Sequence, residues 1–300
     1  MGKMFDVLQK LEREKTADQK KEEPAIVSDP DNQVLDNKIV SFFAPSSMVT
    51  EQFRRLRTHI IQPNQPNSPK TIVITSTLSG EGKSLIAINL AIIIAVEMQS
   101  HALLVDCDIR NPSVARLFGL KDTKGLSNYL LGEAEIPDLL IKTSVDKLSI
   151  IAGGPLQENP VELIGSERMK NLIQELKTRY KDRYIILDCS PLLATTEPTV
   201  LTEMADGILM VIKSGKTPRE SVQQALRLLN KDKIMGVVLN GMEYRTKALI
   251  QRHFGTNRYY HDYHYSKTHP EPDNWEKAAL ILKDIKMLLL KLIPHKKGER

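Results

Sequence analysis

Cysteine, aromatic residues and long apolar runs are all scarce in this sequence of 300 residues. The two cysteines, Cys107 and Cys189, lie in apolar stretches, which argues against a disulfide framework and favours a reducing compartment. The longest apolar run, residues 91–98, is far too short to span a bilayer. The first residues, "MGKMFDVLQKLEREK", are charged and lack the apolar core of a secretory signal. These features predict a cytoplasmic protein.

A strong excess of charge is also absent, since the formal net charge is +5. This balance allows contact with nucleic acid or with an anionic membrane surface but requires neither, and we expect no nucleic-acid partner. With 41% hydrophobic residues, the chain can bury a sizeable core. The composition therefore predicts one large domain with extensions.

The chain divides into residues 1–45, 46–265 and 266–300. In the first part, a charged, proline-containing linker from about residue 13 follows a segment with Phe5, Leu8 and Leu11 at helical spacing. That segment is either a short docking helix or a frayed terminus. In the last part, a basic amphipathic helix either docks on its own domain or binds a membrane surface or a partner. Its apolar face consists of Ala278, Ile281, Leu282, Ile285, Leu289 and Leu292.

Between these extensions, apolar runs typical of buried strands alternate with helical patterns. Residues 46–60 read as a helix, and after the break "QPNQPNSPK" the alternation begins. Nearly continuous hydrophobicity is typical of strands buried on both faces, so the pattern predicts a mostly parallel α/β sheet flanked by helices. The predicted strands are residues 71–76, 102–108, 148–153, 184–190, 207–213 and 234–241.

A phosphate-binding loop follows the first predicted strand, in "TIVITSTLSGEGKSLIAINLA". Gly80 and Gly82 would let backbone N–H groups approach phosphate oxygens, Lys83 would reach the β- and γ-phosphates, and the Ser84 hydroxyl would bind Mg²⁺. The positive end of the next helix would face the same anions. The pattern departs from the usual one because Thr77 occupies the first glycine position. The predicted nucleotide-binding residues here are Ser79, Gly80, Glu81, Gly82, Lys83, Ser84 and Leu85.

Carboxylates follow two of the predicted strands. Asp106 and Asp108 end "LLVDCD", with Arg110 beside them, and Asp188 ends "YIILD". Each alone could cap the following helix. Ligands of open α/β sheets bind at the carboxyl ends of the strands, and three carboxylates facing a phosphate loop favour a bound cation. The sequence therefore predicts a Mg²⁺–nucleotide site.

Five motifs in order give the chain a wider resemblance. They are "EQFRRLRT", "SGEGKS", "DCDIRNP", "GGPLQENPVELIGSERM" and "ILDCSP". From about residue 46 to residue 265, the chain resembles the bacterial P-loop tyrosine kinases, an autophosphorylating family that accompanies capsule and exopolysaccharide export. The resemblance implies a P-loop NTPase fold of the deviant Walker type, with ATP and Mg²⁺. It also implies that Glu51, Arg54 and Arg57, in the first motif, contact the neighbouring subunit of a ring.

The resemblance further implies individual roles in phosphoryl transfer. Lys83 would stabilise the transferring phosphoryl group, and Ser84 and Asp188 would hold Mg²⁺, with Asp106 at the same metal. Asp106 would also be the base or positioning group for the incoming tyrosine hydroxyl, supported by Asp108. Asn240 would contact adenine, although a turn residue before a glycine is the other reading.

The segment "RYYHDYHY", residues 258–265, holds four of the eight tyrosines of the chain. It falls where the family carries its autophosphorylated tyrosines, so the resemblance implies phosphorylation between subunits and control of polysaccharide polymerisation and export. The implied partners are a separate membrane-embedded co-polymerase activator and a tyrosine phosphatase, with the kinase on the inner face of the membrane. The predicted acceptors are Tyr259, Tyr260, Tyr263 and Tyr265.

Some features depart from the family or favour alternatives. Cys189 and Ser190 follow Asp188 where relatives often have Thr-Pro, and the chain continues past its tyrosine cluster. A partitioning or division-site ATPase would carry a lysine where this chain has Leu78. A nucleotide-binding scaffold without kinase activity is the second alternative. A metal site at His261 and His264 is a third, weaker one.

Overall fold

The computed structural model describes residues 35–61, 69–98, 100–121, 123–179 and 182–242. The predicted N-terminal helix, the tyrosine cluster, the two histidines of "HDYH" and the C-terminal tail lie outside these residues.

Seven strands of the described residues form one sheet. They are β1 (Thr71–Ser76), β2 (His101–Asp106), β3 (Ile141–Lys142), β4 (Leu148–Ile151), β5 (Arg183–Asp188), β6 (Gly207–Lys213) and β7 (Ile234–Asn240). Their order is β3-β4-β2-β5-β1-β6-β7, and every neighbouring pair is parallel except β3 with β4. The predicted mostly parallel sheet is confirmed.

The central strands are apolar on both faces because helices cover both sides of the sheet. All six residues of β1 are buried, as are the last five of β2 and of β5. Four predicted strands extend too far, since β2 ends at Asp106, β4 at Ile151, β5 at Asp188 and β7 at Asn240. After these residues the chain leaves the sheet, although Cys107 N still donates to Asp188 O at 2.8 Å. The two-residue β3 is too short to produce an alternating pattern and was not predicted.

Ten α-helices and one 3₁₀ turn (Lys231–Lys233) connect or cover the strands in the described residues. The longest apolar helix, which follows the phosphate loop, is buried at every residue from Ile86 to Ala95. The helices are α1 (Val40–Phe43), α2 (Met48–Ile60), α3 (Lys83–Ala95), α4 (Val114–Leu117), α5 (Leu126–Leu131), α6 (Ile136–Leu139), α7 (Pro160–Ile164), α8 (Glu167–Arg179), α9 (Glu197–Met204) and α10 (Arg219–Arg227).

Residues 35–44, which the composition assigned to a linker, fold onto α3 as a segment that we call the strap. Ile39 is fully buried, and Ser41 N donates to the buried side-chain oxygen of Asn89 at 2.8 Å. Asp36 N donates to the carbonyl oxygen of Leu117, at the end of α4, at 3.0 Å. The strap therefore joins the helix of the phosphate loop to α4.

The carboxyl ends of β2, β5, β1, β6 and β7 lie along one edge of the sheet, because these strands are parallel neighbours. The phosphate loop and the predicted acidic residues all follow strands that end at this edge. Among the described residues, none of the helices combines the length and the apolar character that crossing a bilayer requires.

Candidate active site

The phosphate loop turns sharply between β1 and α3, and two glycines make the turn possible. Gly80 and Gly82 have φ angles of 78° and 91°, in the left-handed region that residues with a Cβ rarely adopt. A Cβ at Gly82 would collide with the side-chain nitrogen of Asn240. Gly82 is also the N-cap of α3, so the free N–H groups of this helix face the loop.

Glu81 and Asn240, both predicted to bind nucleotide, make hydrogen bonds that hold the loop in shape. Glu81 is buried, and its Oε2 accepts from Leu78 N at 3.0 Å while its Oε1 accepts from the Thr217 hydroxyl. Asn240 Nδ2 donates to the carbonyl oxygen of Glu81 at 2.8 Å. These two side chains therefore link the loop to β7 and to the segment after β6, at the end of the loop away from the aspartates.

Lys83 reaches from the start of α3 to one carboxylate in the loop after β2 and to another at the end of β5. Its Nζ donates to Asp108 Oδ2 at 2.8 Å and lies 3.9 Å from Asp188 Oδ1. The Ser84 hydroxyl oxygen is 3.4 Å from the same nitrogen. Burial lowers the pKa of Lys83, but the charges of Asp188 and Asp108 raise it by more. The lysine is therefore held as a cation beside the predicted metal site.

Asp106 is fully buried and accepts three backbone hydrogen bonds. Its Oδ2 accepts from Ser113 N at 2.8 Å and from Val114 N at 2.9 Å, at the start of α4, and its Oδ1 accepts from Asp108 N at 3.2 Å. Burial and the nearby charge of Asp188 raise the pKa of Asp106 to about 7, although the backbone donors lower it. The carboxylate therefore caps α4 at the same time as it faces Asp188.

Asp188 is fully buried, and neither of its carboxylate oxygens has a hydrogen-bond partner among the described residues. Burial raises its pKa to about 6, while the charge of Lys83 and the nearby Ser84 hydroxyl lower it. Unpartnered carboxylate oxygens in a buried position are the ligands that Mg²⁺ prefers, so these residues fit the ion. Within the described residues, His, Cys, Asp and Glu side chains form no group of three or more that could hold a metal ion. The protein alone would then supply only part of a coordination shell.

A cavity of about 440 Å³ opens beside the loop. Ser79, Gly80, Gly82, Lys83, Ser84, Leu85 and Asp108 line it, whereas Glu81, Asp106, Asp188 and Asn240 do not. The structure thus brings most of the predicted phosphate-binding residues to one surface and places the other predicted residues behind it or beside it.

Sequence reasoning missed the part of the cavity that lies beyond the phosphate loop. Lys38 of the strap, Arg110 and Arg116 line this part. Arg110 forms an ion pair with Glu197, the first residue of α9, which is 2% exposed. Glu197 stands at the start of a helix in "ATTEPTV", which was the available signal in the sequence.

The residues predicted to contact a neighbouring subunit lie on α2. Glu51 and Arg54 form an ion pair of 3.1 Å, with side chains 50% and 39% exposed. Arg57 instead donates to the carbonyl oxygen of Ile93, at the end of α3, at 3.1 Å. Arg54 Nη2 also donates to the carbonyl oxygen of Pro45 at 2.7 Å, so both arginines have structural contacts inside their own chain, while Glu51 is exposed.

The sheet, the phosphate loop and the lysine–aspartate cluster define a nucleotide-binding protein of the P-loop class. A family model described as an AAA domain matches residues 69–235. The chain is 34% identical over 209 residues to the tyrosine-protein kinase YwqD of Bacillus subtilis (strain 168), which covers 69% of this chain and 87% of that protein. The chain therefore belongs to the bacterial tyrosine-protein kinases.

Two further similarities agree with this assignment. The crystal structure of the chimerical protein CapA2B2 is 32% identical, covers 70% of this chain and 92% of that chain, and gives a TM-score of 0.64. The succinoglycan biosynthesis transport protein ExoP of Rhizobium meliloti (strain 1021) is 32% identical over 226 residues, which are 73% of this chain and 28% of that protein. The alternative of a partitioning or division-site ATPase is set aside because the relatives that the chain matches over most of their length are named tyrosine-protein kinases.

Proposed function

We propose that this kinase transfers the γ-phosphoryl group of ATP to tyrosines of its own cluster, residues 258–265, in a neighbouring copy of the chain. The observation that carries the proposal is the lysine–aspartate group at the sheet edge. There Lys83 Nζ lies 2.8 Å from Asp108 and 3.9 Å from Asp188 beside the phosphate loop. Positioning and charge neutralisation are what phosphoryl transfer requires.

Each residue of the phosphate loop and of the lysine–aspartate group has a distinct proposed role. The backbone of residues 79–85 would bind the phosphates, and Lys83 would stabilise the transferring group. Ser84 and Asp188 would hold Mg²⁺, with Asp106 adjacent. When bound, the ion would neutralise charge on the phosphate oxygens.

In the reaction, the tyrosine oxygen forms a bond to the γ-phosphorus, and the bond from that phosphorus to the ADP oxygen breaks. The phenolic proton passes to a carboxylate. Asp106, with a pKa of about 7, is the predicted acceptor of this proton. Because Asp108 lines the cavity and Asp106 does not, Asp108 is the other candidate. Comparing the rates of Asp106→Asn and Asp108→Asn would distinguish them.

We further propose that the protein controls exopolysaccharide or capsule polymerisation and export. The relative named as a succinoglycan biosynthesis transport protein supports this assignment. A separate membrane-embedded polypeptide would supply the co-polymerase and activate the kinase. A tyrosine phosphatase would reset the cluster, and the kinase would act at the cytoplasmic face of the membrane.

The test is incubation of the full chain with ATP and Mg²⁺, followed by mass spectrometry of the intact protein and its peptides. We expect phosphate on one or more of the four clustered tyrosines and none in Lys83→Met. Lys231→Met is the matched control, because this exposed lysine precedes β7, at the opposite edge of the sheet. ATP turnover with unmodified tyrosines would favour a nucleotide switch, and binding without turnover would favour a scaffold.

A further inference from the structure

Three basic side chains surround the part of the cavity that lies beyond the phosphate loop. They are Lys38 of the strap, Arg110 in the loop after β2, and Arg116 on α4. All three residues are exposed. We call them the basic rim. None of them belongs to the phosphate loop or to the group of aspartates described above.

The rim is built by contacts that also reach the aspartate cluster. Asp36 N donates to Leu117 O at 3.0 Å, which fastens the strap beside the helix that carries Arg116. Asp106 Oδ2 caps the same helix through the N–H groups of Ser113 and Val114. Lys38 and Arg116 are therefore fixed near each other by backbone contacts.

Arg110 is positioned by a buried carboxylate. Its Nε and Nη2 donate to the same oxygen, Glu197 Oε1, at 3.1 and 3.0 Å. Burial raises the pKa of Glu197, but its own backbone N–H, Thr195 and Arg110 together lower it below the usual range. The other carboxylate oxygen, Oε2, is buried and has no hydrogen-bond partner among the described residues. Glu197 therefore holds one edge of the guanidinium and leaves the Nη1 side available.

The rim keeps an excess of positive charge. Among the described residues, the side chains of Lys38 and Arg116 form no ion pair. Two acidic side chains line the cavity: Asp36, whose Oδ1 accepts from Lys38 N at 2.9 Å, and Asp108, which accepts from Lys83 at 2.8 Å. Glu197 does not line the cavity and is committed to Arg110. Four cations, the three of the rim and Lys83, thus face two carboxylates across the cavity, so an approaching anion is attracted.

We propose that Lys38, Arg110 and Arg116 form an acceptor-recognition site that binds an anionic side chain next to the tyrosine to be phosphorylated. This inference rests on the proposed kinase activity. The cavity joins the rim to Lys83 and Ser84, so a peptide with its tyrosine at the phosphate site would place its neighbouring residues at the rim. In "RYYHDYHY" the carboxylate of Asp262 directly precedes Tyr263. A phosphate already present on a neighbouring tyrosine offers the same anionic oxygens to arginine.

The test measures the rate of phosphorylation of a synthetic peptide with the sequence of residues 255–268 by the full chain. Three peptides are compared: the natural one, one with Asp262→Asn, and the Asp262→Asn peptide with phosphate on Tyr260. The enzyme variants are Arg116→Gln and Lys38→Gln, with Arg116→Lys as the conservative variant. Arg227→Gln is the matched control, because it removes an exposed arginine that does not line the cavity.

We expect each rim substitution to raise KM for the natural peptide about threefold, with little change in kcat, as is typical of exposed charge pairs. The effect should shrink at high salt and should be absent in Arg116→Lys and Arg227→Gln. For the enzyme without substitutions, KM should be higher for the Asp262→Asn peptide than for the natural peptide. With the Asp262→Asn peptide, the rim substitutions should no longer change KM. The phosphate on Tyr260 should restore both the low KM and the increase in KM that the rim substitutions cause.

Equal KM values for the natural and the Asp262→Asn peptides would overturn the inference, as would rim substitutions that lower kcat and leave KM unchanged. Should Arg116→Gln fold poorly, Lys38→Gln provides the same test on a different element. Failure of the proposed function has a different signature, because neither the peptide nor the chain itself would then gain phosphate on tyrosine.

Discussion

Asp188 is the residue whose environment most directly links stability and function. It is fully buried, its two oxygens have no hydrogen-bond partner among the described residues, and its nearest cation, Lys83, already donates to Asp108. A buried carboxylate in this position destabilises the fold unless a cation or a proton joins it. The position of Asp188 therefore favours binding of a cation and lowers the stability of the ligand-free protein.

Asp188→Asn is expected to stabilise the ligand-free chain by about 0.5–2 kcal/mol, because it removes a buried charge whose nearest cation, Lys83, lies 3.9 Å away and already donates to Asp108. It should also abolish the additional thermal stabilisation that Mg²⁺ gives in the presence of ADP. Thermal denaturation with and without Mg²⁺ and ADP measures both effects. The control is Asp182→Asn, at a side chain that is 57% exposed, for which a change within about 0.5 kcal/mol is expected. A destabilised ligand-free Asp188→Asn chain would contradict this account.

The same carboxylates predict how stability depends on pH in the absence of divalent cations. The pKa values of Asp106 and Asp188 are raised to about 7 and about 6, above the value of about 3.9 expected in the unfolded chain. A raised folded-state pKa gives a contribution that is complete below the unfolded pKa and is lost as the pH rises through the folded pKa. These two groups should therefore make the protein less stable at pH 8 than at pH 5.

Carboxyl groups with a lowered pKa affect stability in a different pH range. The pKa values of Glu197 and Asp206 are lowered, so their contributions are lost only as the pH falls below the unfolded range. Melting temperatures between pH 5 and pH 8 should fall more steeply for the natural chain than for Asp188→Asn. Parallel profiles for the two chains would show that the buried carboxylate does not titrate in this window.

At the scale of secondary-structure elements, α3 organises the site from its N-terminus and from its middle. Its N-terminus carries Gly82 and Lys83 to the phosphate loop, and its middle carries Asn89, which fastens the strap. Asn89 is 2% exposed; its Oδ1 accepts from Ser41 N and its Nδ2 donates to Leu85 O at 2.8 Å. A polar residue inside an otherwise apolar helix is thus explained by the chain segment that it holds.

Asn89→Ala should destabilise the protein by about 1–3 kcal/mol, because it leaves the Ser41 N–H buried without a partner. Urea denaturation measures the loss, and hydrogen exchange of the Ser41 amide should accelerate. Asn230→Ala is the control, since Asn230 caps the exposed 3₁₀ turn through Asp232 N, and its removal should cost about 1 kcal/mol or less. Equal costs for the two variants would indicate that the strap does not depend on Asn89.

The sheet could be predicted because its strands are apolar on both faces and its acidic residues stand at strand ends. The phosphate loop could be predicted because strand, glycines, lysine and apolar helix occur in order. The strap could not be predicted, since its packing depends on Asn89, about 50 residues later. The ion pair of Arg110 with Glu197 was also beyond reach, because it joins residues 87 positions apart in sequence. Short β3 lacked any periodic signal.

At the scale of the whole molecule, we expect assembly of the proposed ring and phosphorylation of the tyrosine cluster to depend on each other. Glu51 on α2 is exposed and would be available to a second copy, whereas Arg54 and Arg57 also donate to backbone carbonyls of their own chain. The cluster would enter the neighbour's cavity beside Asp108 and the basic rim. The basic rim could hold one phosphate, but further phosphates that accumulate on the cluster would face the acidic residues of that site.

We expect the assembly to dissociate when the cluster is phosphorylated, because each phosphate adds about −1.5 to −2 charges. Size-exclusion chromatography with light scattering, before and after incubation with ATP and Mg²⁺, should show a decrease in molar mass. The Lys83→Met chain should keep its mass under the same conditions. An unchanged mass after complete phosphorylation would argue against charge repulsion as the cause of dissociation.

The most direct test of the central claim is a mixing experiment that separates the donor of the phosphate from its acceptor. One full chain carries Lys83→Met, and the other keeps Lys83 but has phenylalanine in place of all four clustered tyrosines. Peptide mass spectrometry after incubation with ATP and Mg²⁺ reads the outcome. We predict phosphate on Tyr259, Tyr260, Tyr263 or Tyr265 of the Lys83→Met chain, and only in the mixture. ATP consumption without phosphate on these tyrosines would contradict it.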